Sequence, residues 1–412
     1  GRLTQLRTLP LFVVGEGSGA AGIEELTGLN DLQGSLEIQL NSLKNNFSSW
    51  VTEVLGGDQN NGSEACNYIL KNKQGLESLT LNFSFGSRDR QEKLIESLQP
   101  HTNIKELGII GYRGRRFPKW MGDASYSRLE AINVVGCRDC SCFWQFGKLP
   151  SLKRLCLKRL RKERGVMAVV EDSFFPSLEE LFLNSLWVLE GLSLGTSRCT
   201  FPRLRLLEIC TCTSLKYIKL WNLAALRELT IDFCPILEHA ELRHLTALRQ
   251  LTVNECPMFG CPKLYSTWPL RRLLLCHLVK VTLSGCLNCR CLPPPLGQLP
   301  NLKELHISKM PEVTHVGSEF HGGGGGGIPF RSLQTLELRD MPRWEEWQDV
   351  EEEDGAFPNL QLLRICNCPI LRPPKLSPRL LLKLESDFSC SDFAEESSNP
   401  AHYRDHKRKR IQ

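Results

Sequence analysis

Apolar residues fall along this chain in a recurring frame, L-x-x-L-x-L-x-x-C. Leu204, Leu207, Ile209 and Cys212 fill it once, Leu226, Leu229, Ile231 and Cys234 again, and Leu248, Leu251, Val253 and Cys256 a third time. Further copies open at Ile104, Leu129, Leu152, Leu178, Leu278, Leu302, Leu333 and Leu360, with weaker ones at Leu6–Leu9–Leu11 and Leu76–Leu79–Leu81. Successive strong copies start about 22 to 31 residues apart. Inside the frame, x-L-x-L-x alternates with period two, which predicts a short strand with one face inward and the other outward. The ninth position turns the chain out of the strand while its side chain points in. It holds Cys137, Cys212, Cys234, Cys256, Cys286 and Cys368, and Leu160, Leu186, Met310 and Met341 take the same place elsewhere. An exchange of Cys with Leu and Met is a packing pattern. Between strands, Pro118, Pro150, Pro176, Pro202, Pro300 and Pro358 and the run Pro293 to Pro295 disfavour long helices, so short helical turns and loops are expected there.

One such unit cannot bury its leucines alone, but stacked units share a continuous core and a parallel sheet. The fold class expected is therefore α/β, a leucine-rich-repeat solenoid. It is a curved horseshoe with the parallel sheet on its concave face and irregular loops or short helices on its convex face. Irregular repeats are expected over residues 1–100, the main solenoid over 101–384 and a basic-ended disordered tail over 385–412. Composition sharpens this in two places. A chain of 412 residues suggests two or three globular domains, yet 69 leucines spread along its length favour one repeated architecture. The net charge of +5 is too small to argue for nucleic acid, and no apolar run reaches the roughly 18 residues of a membrane span.

Several motifs resemble chemistry. Gly17 to Gly22 fits the dinucleotide fingerprint, with Glu37 spaced for a ribose contact. The helix that fingerprint requires would, however, contain Gly28 and the turn-like Asn30-Asp31, and a loop between edge repeats is the favoured reading. Gly191-Leu192-Ser193-Leu194-Gly195 fits a nucleophile elbow, but Pro202 and the next strand leave no room for the helix that must follow, so a convex loop is expected. Cys137-x-x-Cys140-x-Cys142 and Cys286-x-x-Cys289-x-Cys291 have the spacing of half zinc sites, several repeats apart. In each, the first cysteine already has a packing place. No catalytic residue, cofactor site or metal site is expected. Sequons at Asn46, Asn61 and Asn82 cluster in the N-terminal stretch. Gly322 to Gly327 is expected to be a flexible loop tip, and Glu345 to Asp354 carries seven acidic residues around Trp347 and beside Trp344.

Function is expected on the outward strand positions. The central one of each repeat gives a column: Gly108, Asn133, Cys156, Phe182, Glu208, Thr230, Thr252, Thr282, His306, Glu337 and Arg364. Strands roughly 4.8 Å apart make this a continuous strip for a partner protein. Phe182, Glu208, His306, Glu337 and Arg364 are the candidate contacts, with Phe182 and Arg364 the best anchors because aromatics and arginines dominate hot spots.

Several stretches are more specific than the repeat frame: LRTLPLFVVG (Leu6 to Gly15), GIEELTGLNDLQGSLEI (Gly22 to Ile38), EKLIESLQPHTNIKELGIIGYRGRRFPKW (Glu92 to Trp120), LPPPLGQLPNLKEL (Leu292 to Leu305), HVGSEFH (His315 to His321) and MPRWEEW (Met341 to Trp347). On these the chain resembles plant intracellular disease-resistance proteins of the coiled-coil, nucleotide-binding, leucine-rich-repeat type, in their repeat region. The resemblance implies a non-enzymatic recognition surface for a pathogen effector or guarded host protein. It also implies contact with the receptor's nucleotide-binding domain, where ATP or ADP would sit outside these residues. A cytoplasmic location follows, or a nuclear one if Lys407 to Arg410 acts as a signal. The rival expectation is a substrate adaptor of a ubiquitin ligase, whose repeats also end in cysteine; the turn sequence usual after that cysteine is not seen here.

Overall fold

The computed structural model describes residues 5–15, 21–41, 69–84, 86–137, 139–140, 143–160, 174–195, 200–259, 277–292, 296–321, 328–347, 356–372, 380, 382 and 384–386. The chain divides into two compact units, Gly1–Leu248 and Arg249–Gln412. Both are stacks of parallel-strand coils.

In the first unit the main strands are β1 (Leu11–Val14), β2 (Gln33–Leu40), β3 (Gly75–Phe83), β4 (Glu106–Ile110), β5 (Ala131–Val135), β6 (Arg154–Lys158), β7 (Glu180–Asn184), β9 (Leu206–Cys210) and β11 (Glu228–Asp232). They hydrogen-bond in that order, every pair parallel. From β3 on, each outward position faces its counterpart in the next coil, as Phe182 faces Glu208 and Glu208 faces Thr230. The inward leucines and isoleucines of these strands, such as Leu181, Leu183, Leu207 and Ile209, are buried. In the second unit β13 (Gln250–Asn254), β14 (Lys280–Ser284), β15 (Glu304–Ser308), β17 (Thr335–Arg339), β19 (Leu362–Cys366) and β20 (Leu384–Ser386) repeat the arrangement.

The ninth position behaves as its pattern predicts. Cys137, Cys212, Cys234, Cys256, Cys286 and Cys368 are all buried. The carbonyl of Cys212 then accepts the Leu215 N–H at 3.1 Å, and that of Cys234 accepts the Leu237 N–H at 3.2 Å, closing a tight turn out of the strand.

The residue just before it has a fixed backbone and no fixed side chain. It sits in the left-handed backbone region in repeat after repeat, at Gly136, Arg159, Ser185, Thr211, Phe233, Glu255, Gly285, Lys309, Asp340 and Asn367. A left-handed turn bends the chain inward in one step, which is why the fold imposes it whatever residue stands there. For a β-branched residue this costs roughly 1–2 kcal/mol. Thr211→Gly is therefore expected to raise the stability of the first unit by about 1 kcal/mol once glycine's entropy is subtracted, measured by denaturant unfolding of the full chain. A destabilisation would show that the threonine side chain contributes more than its strain costs.

Four expectations need correction. The weak copy at Leu6–Leu9–Leu11 is out of register: Leu11 is 45% exposed, and Phe12 and Val14 are the inward residues of β1. Pairing of Phe12 with Ile38 and Val14 with Leu40 fixes this, since a one-residue slip would turn every side chain to the other face. A strand at Gln33–Leu40 lies between the two weak copies, where the repeat frame had placed none. The return segments are also more regular than loops. Gly191–Leu194 (β8), Tyr217–Trp221 (β10) and His239–Arg243 (β12) form a second parallel sheet in the first unit, and His315–Val316 (β16) pairs with Glu346–Trp347 (β18) in the second. The coils that open at Leu204 and Leu226 are 22 residues long, too short for a helical return, so β10 and β12 run extended. Finally, Arg88–Ser97 is a 10-residue helix, α1, with Leu94 and Ile95 buried.

Candidate functional site

Placement in register gives the candidate contacts two separate surroundings. In the first unit Phe182 and Glu208 are half-buried neighbours on β7 and β9, with Cys156 beside Phe182 on β6. The Cys210 thiol donates to Glu208 Oε1 at 3.3 Å; burial and that carboxylate together push the thiol's pKa well up, so it stays protonated. Gly108 and Cys156, two members of the column, are buried rather than presented. The Thr80 side chain lies over Gly108, where a Cβ would come within 2.7 Å of its hydroxyl. The column also extends beyond the repeats that suggested it, through Thr80 to Glu37.

In the second unit the other three candidates are tied together. His306 Nδ1 stands 2.9 Å from Glu337 Oε2, and Arg364 donates to the other Glu337 oxygen. Arg339 reaches that same oxygen at 3.2 Å. Arg364 also grips Glu385 through Nε at 3.1 Å and Nη2 at 2.7 Å. On the next row Lys280 pairs with Glu304 at 2.8 Å. Burial pulls the Glu337 carboxyl upward, but the His306 hydrogen bond and the charges of Arg339, His306 and Arg364 outweigh it and hold the group below the ordinary carboxylate value. Arg364, expected to be a free anchor, is instead held between two carboxylates of its own chain. The sequence held no signal for this, because both partners lie more than 20 residues away and only the register brings them alongside.

Parts of the motifs that resembled chemistry fall on described elements. Ser193 lies inside β8 opposite Lys219, not on a loop, and the Tyr217 ring fills the space in which a Cβ on Gly191 would stand. Glu37 faces outward from β2 and takes hydrogen bonds from Gln39 at 3.0 Å and Asn82 at 3.5 Å. Residues 17–20 of the glycine motif, Asn46, Asn61, Cys142, Pro293 to Pro295 and Gly322 to Gly327 lie outside the described residues. So do the tail beyond residue 386 and most of the acidic stretch. Cys140 donates to the Gly114 carbonyl at 2.9 Å and Cys289 to the Phe259 carbonyl at 3.1 Å. Burial pushes the Cys137 thiol up to about 12, which disfavours the thiolate at neutral pH. Among the described residues no group of three or more His, Cys, Asp or Glu is placed to hold a metal ion, and no helix is long and apolar enough to cross a membrane.

With the coils, inward ladder and outward column described, the known proteins can be compared. The sequence profile described as R13L1/DRL21 LRRs matches residues 23–160 and 235–310, more than half of the chain. The chain belongs to this family. Its R13L1/DRL21 repeats are similar to those of plant disease-resistance proteins. A disease-resistance protein of Arabidopsis thaliana is 50% identical over 97 residues, covering 23% of this chain and 7% of its own length. Disease resistance protein RGA2 of Solanum bulbocastanum is 32% identical over 234 residues, covering 52% of this chain and 22% of its own. The chain thus spans less than a quarter of the length of these relatives. Among solved structures, the leucine-rich repeat domain of the type III effector XopL aligns over 82% of this chain and 92% of its own, at 14% identity and a TM-score of 0.38.

Proposed function

We propose that this R13L1/DRL21 repeat region is the recognition surface of a plant immune receptor. It binds a pathogen effector or a guarded host protein and restrains the receptor's nucleotide switch from the cytoplasm. The observation that carries this reading is the in-register outward column on each unit's main sheet, set on an inward core that leaves those side chains free to vary. Partner binding would draw on Phe182 and Glu208 in the first unit and on the His306–Glu337–Arg364 cluster in the second. Coupling to the switch follows if the resting and active receptor present this face differently to its partners.

The test is alanine substitution at Phe182, Glu208, His306, Glu337 and Arg364 in the complete receptor, with folding checked by circular dichroism. Loss of recognition, or signalling without a trigger, is the expected result. Unchanged recognition together with unchanged restraint would sink the proposal. So would co-purification of ubiquitin-ligase scaffold components in place of receptor partners.

A further inference from the structure

The left-handed residue that ends each main strand carries a side chain at Arg159, Ser185, Thr211 and Phe233, but in the two preceding coils it is Gly111 and Gly136, at φ of +70° and +69°. These glycines lie side by side; Gly111 Cα is 3.8 Å from where a Cβ on Gly136 would stand. Bare backbone here opens a groove of about 290 Å³ at the ends of the strands. Phe83, Ile110, Val135 and Trp187 give it apolar walls, and Trp187 is 42% exposed. Arg113 and Arg159 complete the lining, both exposed, and among the described residues no carboxylate lines the groove with them. Arg88, by contrast, is already paired with Asp139 at 2.8 Å.

We propose that this groove docks an extended acidic segment of a partner protein. An apolar side chain of that segment would rest over the two glycines against Trp187, with flanking carboxylates on Arg113 and Arg159. Charge complementarity sets the sign of the partner: two guanidiniums with no carboxylate among the groove's described lining residues favour carboxylates, which they grip through paired hydrogen bonds. The exposed indole supplies the apolar anchor that hot spots require. The inference rests on the protein-binding reading above and gives it a partner chemistry at a place apart from the outward column.

The probe is a short fluorescent peptide of glutamates around one tryptophan, titrated into the full chain and followed by anisotropy. Saturable, salt-sensitive binding is expected. Arg113→Glu combined with Arg159→Glu should weaken it at least tenfold. Gly136→Asn should do the same by filling the groove: asparagine tolerates the left-handed region, as Asn222 and Asn367 do in this chain, and there is room for its Cβ. Unchanged denaturant unfolding of Gly136→Asn would establish that the fold survives. No saturable binding, equal binding by the Gly136→Asn protein, equal binding of a peptide with serine for tryptophan, or tighter binding of a single-stranded RNA oligonucleotide would each overturn the proposal. Because this assay uses peptide and chain alone, its failure leaves the receptor-based test of the outward column standing, and the reverse also holds.

Discussion

Replacing Trp344 by alanine is expected to lower the unfolding free energy of the Arg249–Gln412 unit by about 3–5 kcal/mol, the range for removing a large buried aromatic. Trp344 is fully buried, and its indole N–H donates to the Glu346 carbonyl at 2.9 Å. Its ring lies 5.7 Å from that of Trp347, which in turn stacks on His321 at 6.4 Å and donates to His321 Nε2 at 3.4 Å. His321 meets Phe320, Phe330 and Phe357 edge-on, and Phe330 stacks on Phe357 at 4.8 Å. Removing Trp344 opens a cavity at one end of this aromatic series and leaves Trp347 without its neighbour. Trp344→Phe should lose much less, because the ring volume is mostly kept. Denaturant unfolding of the full chain, followed by far-ultraviolet circular dichroism, measures both. A loss below about 1 kcal/mol for alanine would mean that the surroundings collapse onto the vacancy.

Glu337→Gln should cost about 1.5–3 kcal/mol, the range for hydrogen bonds to charged groups. The side chain is only 16% exposed, so solvent does little to replace the lost charge facing His306, Arg339 and Arg364. The effect should also depend on pH. Glu337 is held below its ordinary value of 4.5 in the folded protein. Its contribution is therefore fully present above about pH 4.5 and disappears as pH falls through the folded-state value. The difference in stability between the native and Glu337→Gln proteins should shrink as the pH falls below about 4.5. A difference that keeps growing below that pH would contradict the charge network as its source.

What the sequence could reveal divides along physical lines. Inward positions were legible because burial imposes one rule on every coil: Leu207 and Ile209, or Leu336 and Leu338, must be apolar, and the alternation records it. The cysteines at the ninth position were legible for the same reason. The left-handed residue before them was hidden, since the fold dictates its backbone and leaves its side chain free; Arg159, Thr211, Phe233 and Lys309 share no chemistry. The prolines of the connections point to loops, but β10 (Tyr-Ile-Lys-Leu-Trp) carries the same apolar alternation as the main strands and lacks only the repeat frame around it. Trp344 and Trp347 stand out in sequence for their acidic neighbours and the MPRWEEW stretch, and neither signal marks them as the core residues they are. For the candidate site, the column's register was readable and its pairing was not. That Arg364 is already engaged depends on which side chain the next coil happens to present.

The unstaggered stacking of the coils has a consequence for inheritance. Between β7, β9 and β11 every strand residue sits beside the same position of its neighbour, and β8, β10 and β12 are matched in the same way. Excising residues 204–225 would remove β9 and β10 together and bring β7 against β11 and β8 against β12 with both ladders still closed. A gene encoding this chain can therefore gain or lose whole coils by unequal recombination and keep a foldable product, whereas a single inserted codon within a strand reverses its inward and outward faces. The natural unit of variation for such a surface is the coil, and neighbouring side chains on it are inherited in blocks.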